Sequence, residues 1–391
     1  MPSRISSRWC SRFASRSLNI GEQKSHRPTP PISHLNNVAH RPTTGARPLL
    51  PSRPAGSRKT STRQLVGSAC RLEDLDSTRM PGTLAPPISA RPQVLPTGRL
   101  FASGKMRPAA ADDLRAIPTA RNIYSVLTLW CSIIGSWWLV GWLAHPLAWI
   151  AGVFWVGRCF SLLFLLHHEA AHALLFPARQ VNDFVGRYLL GAAAIVDFDL
   201  YRMVHITHHR DELGPEEPDL GLYVGYPSGW AKFFRRLSRD AFGRSAYKQL
   251  RALARRPAAT LVRLASAQLV VGFLIALVTG HWWAWPVLWL LPWATVWQVT
   301  NRLRSIAEHA GMEQSDDRRA NSHVVNQSWL PQQWLAPYKA GFHLAHHVDT
   351  SVPWVNLPRF HSELESAGFV TPDITHDSYR ALWRYLLRGH G

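Results

Sequence analysis

Two pairs of apolar runs, each pair broken by only a few residues, most constrain what this chain can fold into. "YSVLTLWCSIIGSWWLVGWLA" fills residues 124–144 without a charge. Its 21 residues would extend about 30 Å as a helix, the thickness of a bilayer's hydrocarbon layer. After His145 and Pro146 comes "LAWIAGVFWVGRCFSLLFLL" at 147–166, interrupted only by Arg158. The second pair is "TLVRLASAQLVVGFLIALVTG" at 260–280 and "WWAWPVLWLLPWATVWQV" at 282–299. Backbone groups in lipid must be satisfied within their own segment, so each run is expected to be a helix. The expected fold is all-α, with four transmembrane helices in two tight hairpins. Between the pairs, "FVGRYLLGAAAIVDF" at 184–198 is too short and too charged to span, and reads as an interfacial or re-entrant helix.

Charge sets the expected orientation. Residues 231–256 carry Lys232, Arg235, Arg236, Arg239, Arg244, Lys248, Arg251, Arg255 and Arg256 against Asp240 alone, while the hairpin tips carry no Lys or Arg. The positive-inside rule then puts the tips outside and the long loops and termini in the cytoplasm, as in a multi-pass protein of a bacterial inner membrane. Trp282, Trp283 and Trp285 beside one tip fit an interfacial aromatic belt. Trp285, Trp289, Trp293 and Trp297 recur every four residues along one helix face, either as packing bulk or as one wall of an apolar tunnel. Arg158, a charge within a span, is expected to face the bundle interior, in an ion pair or at the site.

The net charge of +19 is unevenly spread: residues 1–105 hold 17 Lys and Arg against 4 Asp and Glu. That stretch is rich in Ser, Pro and Arg and has no sustained hydrophobic period, so it is expected to be a disordered basic extension. Its composition fits an organelle transit peptide or an upstream extension with Met106 as the working start. The folded domain is expected over 106–391. Because the basic excess belongs mostly to the extension, it gives no reason to expect a nucleic-acid partner. The 4 cysteines (Cys10, Cys70, Cys131, Cys159) have no redox or metal-binding spacing.

Histidines carry the chemistry. "HEAAH" places His168 and His172 one helical turn apart beside Glu169, the signature of a zinc metalloprotease. Two further clusters change that reading: "HITHH" with His205, His208 and His209, and "HLAHH" with His343, His346 and His347. Spacings of three and four residues bring each trio onto one side of a helix. With 19 histidines in 391 residues, two HxxHH strings far exceed chance. Two crossings separate the second and third clusters, so all eight imidazoles can meet on one cytoplasmic face. His309, just past the fourth run, is placed to cap the site. His167, His323 and His361 lie near the clusters but out of phase, as surface or supporting residues. Glu169, Asp219 and Glu308 are candidates to orient the imidazoles. A catalytic zinc takes three protein ligands, so eight or nine imidazoles point to two metal ions sharing four or five each. Without thiolates an iron–sulfur cluster is disfavoured, while imidazole alone suits iron, copper, nickel and zinc alike. A protease would leave both HxxHH clusters unexplained.

With these motifs the chain resembles the membrane-bound fatty acid desaturase superfamily, integral-membrane non-haem di-iron enzymes that activate O2. The likeness lies in the three boxes and their flanks: "YRMVHITHH", "EEPDL" and "VPWVNLPRFHSEL". It covers roughly residues 123–364. It implies four transmembrane helices under a cytoplasmic helical cap that carries the boxes and holds two irons, with His309 as a further ligand. Acyl-CoA desaturases use an Asn one turn before that histidine; Ser305 stands there in this chain, with Asn301 a further turn back as a supporting candidate.

The implied chemistry is O2-dependent oxidation of an unactivated carbon in a lipid-like substrate, such as a fatty-acyl chain, entering from the bilayer. Desaturation is the preferred outcome and hydroxylation the alternative. The chain shows no haem, flavin or ferredoxin module, so a separate donor such as ferredoxin with its reductase is expected. The basic stretch 231–256 could dock such an acidic partner, or could simply set topology and attract anionic lipid.

Overall fold

The computed structural model describes residues 83–85, 91–94 and 96–388. A short helix α1 (Pro108–Leu114) precedes the first long helix α2 (Thr119–Leu143), and α3 (Pro146–Ala171) returns against it. The reversal is local chemistry. Ala144 takes a left-handed φ of 46°, His145 Nδ1 accepts from Leu147 N at 3.2 Å, and Pro146 starts the next helix where no N–H is needed. Next come α4 (Arg179–Phe184), a π-helical continuation (Val185–Ala192), α5 (Phe198–Arg210), α6 (Leu220–Tyr223), α7 (Trp230–Ala241) and α8 (Arg244–Leu253). The third long helix, α9 (Ala258–Thr279), ends at Gly280 with φ 74°.

The fourth apolar run departs from expectation. It is divided into a π-helical turn (Pro286–Leu290), α10 (Leu291–Ala294), a break at Thr295 with φ −124° and ψ −77°, and α11 (Val296–His309). Pro286 and Pro292 each remove a backbone donor, so one regular ladder cannot run through. Among the described residues, three helices are therefore long and apolar enough to cross a membrane: α2, α3 and α9. The chain continues with β1 (Val324–Val325), α12 (Trp329–Trp334), α13 (His343–Val348), α14 (Leu357–Ser366), β2 (Thr375–His376) and α15 (Tyr379–Leu387); β1 and β2 form one short parallel pair.

The tryptophan stripe serves helix packing. Trp289, Trp293 and Trp297 are buried, and Trp289 meets Phe160, Trp137 and Trp130 with ring centroids 4.6, 5.6 and 6.3 Å apart. Where α11 crosses α3, a Cβ on Gly157 would lie 2.4 Å from Val296 Cγ1, so only glycine permits that approach. This contact fixes α11, and with it His309, against the helix that carries His168. Arg158 finds an amide rather than a carboxylate: its Nη2 donates to Gln333 Oε1 at 2.9 Å and its guanidinium lies over the Trp155 ring.

Most of the expected extension over 1–105 lies outside the described residues. The described parts pack against the helices. Leu100 is 1% exposed and shares an apolar cluster with Met106, Leu344, Phe360 and Leu364. Arg91 reaches Glu313 and Asp317, each at 3.3 Å, and Arg319 Nη1 donates to Pro92 O at 2.8 Å. Composition gives no sign of this docking, because the partners stand more than 200 positions downstream.

Candidate metal centre

The end of α3 is the platform on which the site is assembled. Its last carbonyls lack helical partners and are taken up by side chains from the following elements. Arg202 donates through Nε to Ala171 O and through Nη2 to Ala170 O, both at 3.0 Å, while pairing with Asp183. Asn182 Nδ2 donates to Ala170 O at 2.8 Å. These bonds lash α5 to the first box and bring "HITHH" beside "HEAAH". The third box is tied in from the other side. Trp354 N donates to Glu169 Oε1 at 3.0 Å, and its indole Nε1 donates to Asn122 Oδ1 at 2.9 Å.

The nine expected histidines converge as two adjacent nests. His168, His172, His205, His209 and His346 form one, and His208, His309, His343 and His347 the other; within each, the ligand atoms lie within 4.8 Å of one another. In the five-histidine nest, His205 Nε2 lies 2.9 Å from both His172 Nε2 and His209 Nε2, and His209 Nε2 lies 3.2 Å from His346 Nε2. In the four-histidine nest, His309 Nε2 and His343 Nε2 are 2.8 Å apart. The nests touch where the His209 and His347 rings stand 4.3 Å centroid to centroid.

Helix geometry explains the division. In an HxxHH string the first and last histidines lie about 40° apart around the helix, while the middle one points about 60° to the other side. His205 and His209 therefore enter one nest and His208 the other. In α13 the allocation is reversed: His343 and His347 share a nest and His346 crosses to its neighbour.

The surroundings of the two nests differ. Each imidazole of the four-histidine nest has its Nδ1 against an acceptor. His208 Nδ1 meets Glu217 Oε2 at 2.8 Å, His309 Nδ1 donates to Asn321 O at 2.9 Å, His343 Nδ1 lies 3.4 Å from Glu308 Oε1, and His347 Nδ1 rests on Glu212 Oε1. The last two are close charge contacts that lack hydrogen-bond angles. Arg318 anchors Glu212 and also donates to His209 O at 2.9 Å. In the five-histidine nest no carboxylate reaches an Nδ1 among the described residues, and His209 Nδ1 is buried without a partner.

Burial, reinforced by the neighbouring imidazoles, holds His205, His209, His343, His346, His347 and His309 well below the usual imidazole pKa. All six are thus neutral donors, the form a metal ion requires. His208 differs. Burial disfavours its charge too, but the bond to Glu217 outweighs that and raises its pKa. Burial pushes Glu212 up to about 7 against the pull of Arg318, and also raises Glu308 and Asp219. The donor set suits a cation: His347 Nε2 is buried with no partner of its own in a nest bordered by carboxylates.

The other expected residues fall as follows. Asp219 lies with Glu217 beside His208, and Glu308 touches His343 and Arg304. Glu169 reaches no imidazole Nδ1; it fastens Trp354. Asn301 accepts from Arg304 at 3.3 Å and Ser305 Oγ bonds to Asn301 O, so neither turns to the nests. His167 is buried among Phe164, Phe198 and Tyr201, His323 donates to Ala310 O and meets His376, and His361 lies by Glu365 and Phe342. Glu212, Glu217, Arg202 and Asn321 were not anticipated. A signal existed for the first two, since Asp211, Glu212, Glu216, Glu217 and Asp219 crowd the ten residues after the second box.

A small chamber of about 30 Å³ adjoins the nests, lined by His168, His343, His346, Leu165, Tyr338 and Trp354 among others. The protease reading finds no support, because Glu169, its required base, is committed to Trp354 N and three further imidazoles share the nest of His168 and His172.

Comparison with known proteins adds an independent line. The sequence pattern of the family described as fatty acid desaturase matches residues 136–379, a span containing all nine histidines. A β-carotene ketolase of Paracoccus sp. (strain PC1) is 27% identical over 230 residues, covering 57% of this chain and 83% of that protein. An sn-1 oleoyl-lipid 12-desaturase of Arthrospira platensis is 23% identical over 298 residues, 69% of this chain and 82% of its own length. A chloroplastic omega-6 fatty acid desaturase of Arabidopsis thaliana is 21% identical over 281 residues, 65% of this chain and 60% of that protein.

Proposed function

Because the chain belongs to the fatty acid desaturase family, we propose that it is a membrane oxidoreductase that desaturates a lipid-like substrate using O2, two non-haem irons and electrons from a separate carrier. The observation that carries this reading is the division of the histidines into nests of five and four. His168, His172, His205, His209 and His346 would hold one iron, and His208, His309, His343 and His347 the other. Irons bound there would supply the activation of O2 needed to break an unactivated C–H bond. The chain's own residues do the rest. Glu217 and the Asn321 carbonyl fix the tautomers of His208 and His309, and Glu308 and Glu212 lie against Nδ1 of His343 and His347, which leaves Nε2 free for a metal. Leu165, Trp354 and Leu357 exclude water and present the substrate carbon to His168 and His346.

In this reading the broken segment 282–299 completes a fourth crossing, and the nests face the cytoplasm under a helical cap, in a bacterial inner membrane. The domain that does the work includes the described stretches before residue 106, among them Arg91 and Leu100. The basic helices α7 and α8 suit docking of an acidic carrier such as ferredoxin. Two of the relatives are β-carotene ketolases, which supports oxygen insertion as a second outcome.

Metal analysis of the purified chain should find about two irons, and O2 uptake should require both a reductant and substrate. One tightly held zinc with no O2 uptake would sink the proposal. Product masses then divide the two outcomes: loss of two hydrogens means desaturation, and gain of one oxygen means hydroxylation.

A further inference from the structure

A second cavity, of about 250 Å³, opens between the first turns of α2, the second half of α3 at Leu162 and the stretch joining α12 to α13. It lies at the nest end of the long helices, because Asn122 in the first turn of α2 donates to Leu174 O and Leu175 O just past the first box, at 3.2 and 2.9 Å. Toward the nests themselves the cavity is closed. Tyr338 and Trp354 line both this cavity and the chamber of about 30 Å³, and their ring centroids stand only 5.1 Å apart. That pair is a wall, not a passage. An occupant therefore enters from outside and stops short of the histidines.

The charges of this cavity are unbalanced. Arg121 and Lys339 line it, no Asp or Glu does, and among the described residues no carboxylate pairs with either cation. The Arg121 guanidinium rests instead near the faces of Tyr124 and Trp354, 5.6 and 6.0 Å from the centroids. An arginine fork and a lysine without a counter-charge suit phosphate oxygens. The flank of the cavity is apolar. Tyr124 and Leu127 on α2 are 58% and 59% exposed, and Trp329 and Leu330 on α12 are 73% and 59% exposed. The uncharged run of α2 begins at Tyr124, so Arg121 stands where a span would leave hydrocarbon for the headgroup layer, the level at which Tyr and Trp gather. The backbone adds a separate sign. Tyr338 and Lys339 are consecutive non-glycine residues with φ of 49° and 62°, a conformation that collects at ligand clamps.

We propose that this cavity is a headgroup site for an anionic phospholipid of the surrounding bilayer, a lipid that is retained and not oxidised. Arg121 and Lys339 take its phosphate, and its chains run outward along the exposed side of α2 at Tyr124 and Leu127. A zwitterionic headgroup brings its own cation, which two uncompensated positive side chains repel, so net negative charge is selected. The closed wall of Tyr338 and Trp354 keeps the lipid out of the chamber. The site joins parts of the chain far apart in sequence: Arg121 sits in the first turn of α2, and Lys339 stands four residues before His343. A lipid held by both ties the third box to the first span. This assignment concerns binding alone and does not depend on the oxidoreductase reading.

The test counts bound lipid without turnover. The full chain in non-ionic detergent is titrated with dioleoyl phosphatidylglycerol or dioleoyl phosphatidylcholine, and lipids that stay bound are counted by native mass spectrometry. The first phosphatidylglycerol should bind about tenfold or more tighter than the first phosphatidylcholine, the size of one or two charge-assisted hydrogen bonds. Arg121→Gln with Lys339→Gln should bring phosphatidylglycerol down to the affinity of phosphatidylcholine and leave the latter unchanged. Arg251→Gln with Arg255→Gln, which removes two charges from the basic stretch elsewhere, should alter the preference less than about twofold. Arg121→Lys with Lys339→Arg keeps both charges and should keep the preference, which separates loss of charge from loss of fold. Equal affinity for the two lipids overturns the proposal, as does a preference that survives the Arg121 and Lys339 glutamine pair or is lost equally in the Arg251 and Arg255 pair. Loss of the preference in the charge-keeping swap overturns it too. Displacement of the lipid by inorganic phosphate would make this a site for the free anion, and recovery of the bound lipid with altered chains after O2 and reductant would make it substrate; either result overturns the assignment.

Discussion

The two histidine nests are built from the same three boxes, yet they differ in what stands behind the imidazoles. Behind the four-histidine nest lie Glu212, Glu217 and Glu308, with Asp219 alongside His208. Behind the five-histidine nest lie none that reach an imidazole Nδ1 among the described residues, and Arg202 adds positive potential there, while Arg304 lies near both nests. One nest compensates for fewer ligands with negative charge; the other relies on one more imidazole. Carboxylates behind histidines orient them and strengthen the donor, so a metal ion in the four-histidine nest would depend on residues beyond its own ligands. The chamber wall takes two histidines from the five-histidine nest and one from the other, so the chamber borders both.

Removing a histidine is the largest expected perturbation. His208→Ala leaves three imidazoles in its nest and His172→Ala leaves four. Both should bring O2-dependent turnover to background, but after dialysis the first should retain about one metal ion per chain and the second about two. Equal loss from both would break the comparison. Next in size, Glu217→Gln and Glu212→Gln should speed loss of one ion to a chelator, weakening it by about 10–100-fold and leaving the other unchanged. If both ions weaken together, the carboxylates serve the site as a whole. A smaller effect is expected from Arg91→Met, whose partners Glu313 and Asp317 border the strand of chain that anchors Glu212 through Arg318. Denaturant titration should show a loss of about 1–2 kcal/mol, because the arginine is buried while its partners are half open to water. The smallest expected change is Glu169→Gln. An amide oxygen can still accept from Trp354 N, so metal content of both nests should hold, whereas a HExxH hydrolase would lose its base.

Much of this site is legible in the sequence because histidine is rare and its spacing is local. The i, i+3 and i+4 positions of "HITHH" and "HLAHH" need only the helical repeat to bring three rings to one side. The hairpin break at His145 and Pro146 and the glycine that ends α9 are local in the same sense. Glu212 and Glu217 were visible as part of an acidic run, but which of its five members turn inward depends on how α5 meets α11 and α13. Arg202 stood in the lead-in to the second box, yet its partners are carbonyls at the end of another helix.

By itself the sequence determined the apolar helices, the nine histidines and their suitability for a transition-metal ion, since hydropathy, helical period and ligand chemistry are properties of short stretches. Tertiary structure decided which histidine serves which nest, because a helix face wide enough for three rings can be divided only once the facing helices are in place. It also decided that the fourth apolar run is divided by a π-helical turn and a break at Thr295 rather than continuing as one regular helix, and that Arg91 and Leu100 belong with the packed chain. Those outcomes rest on contacts between residues tens to hundreds of positions apart, which no local pattern encodes.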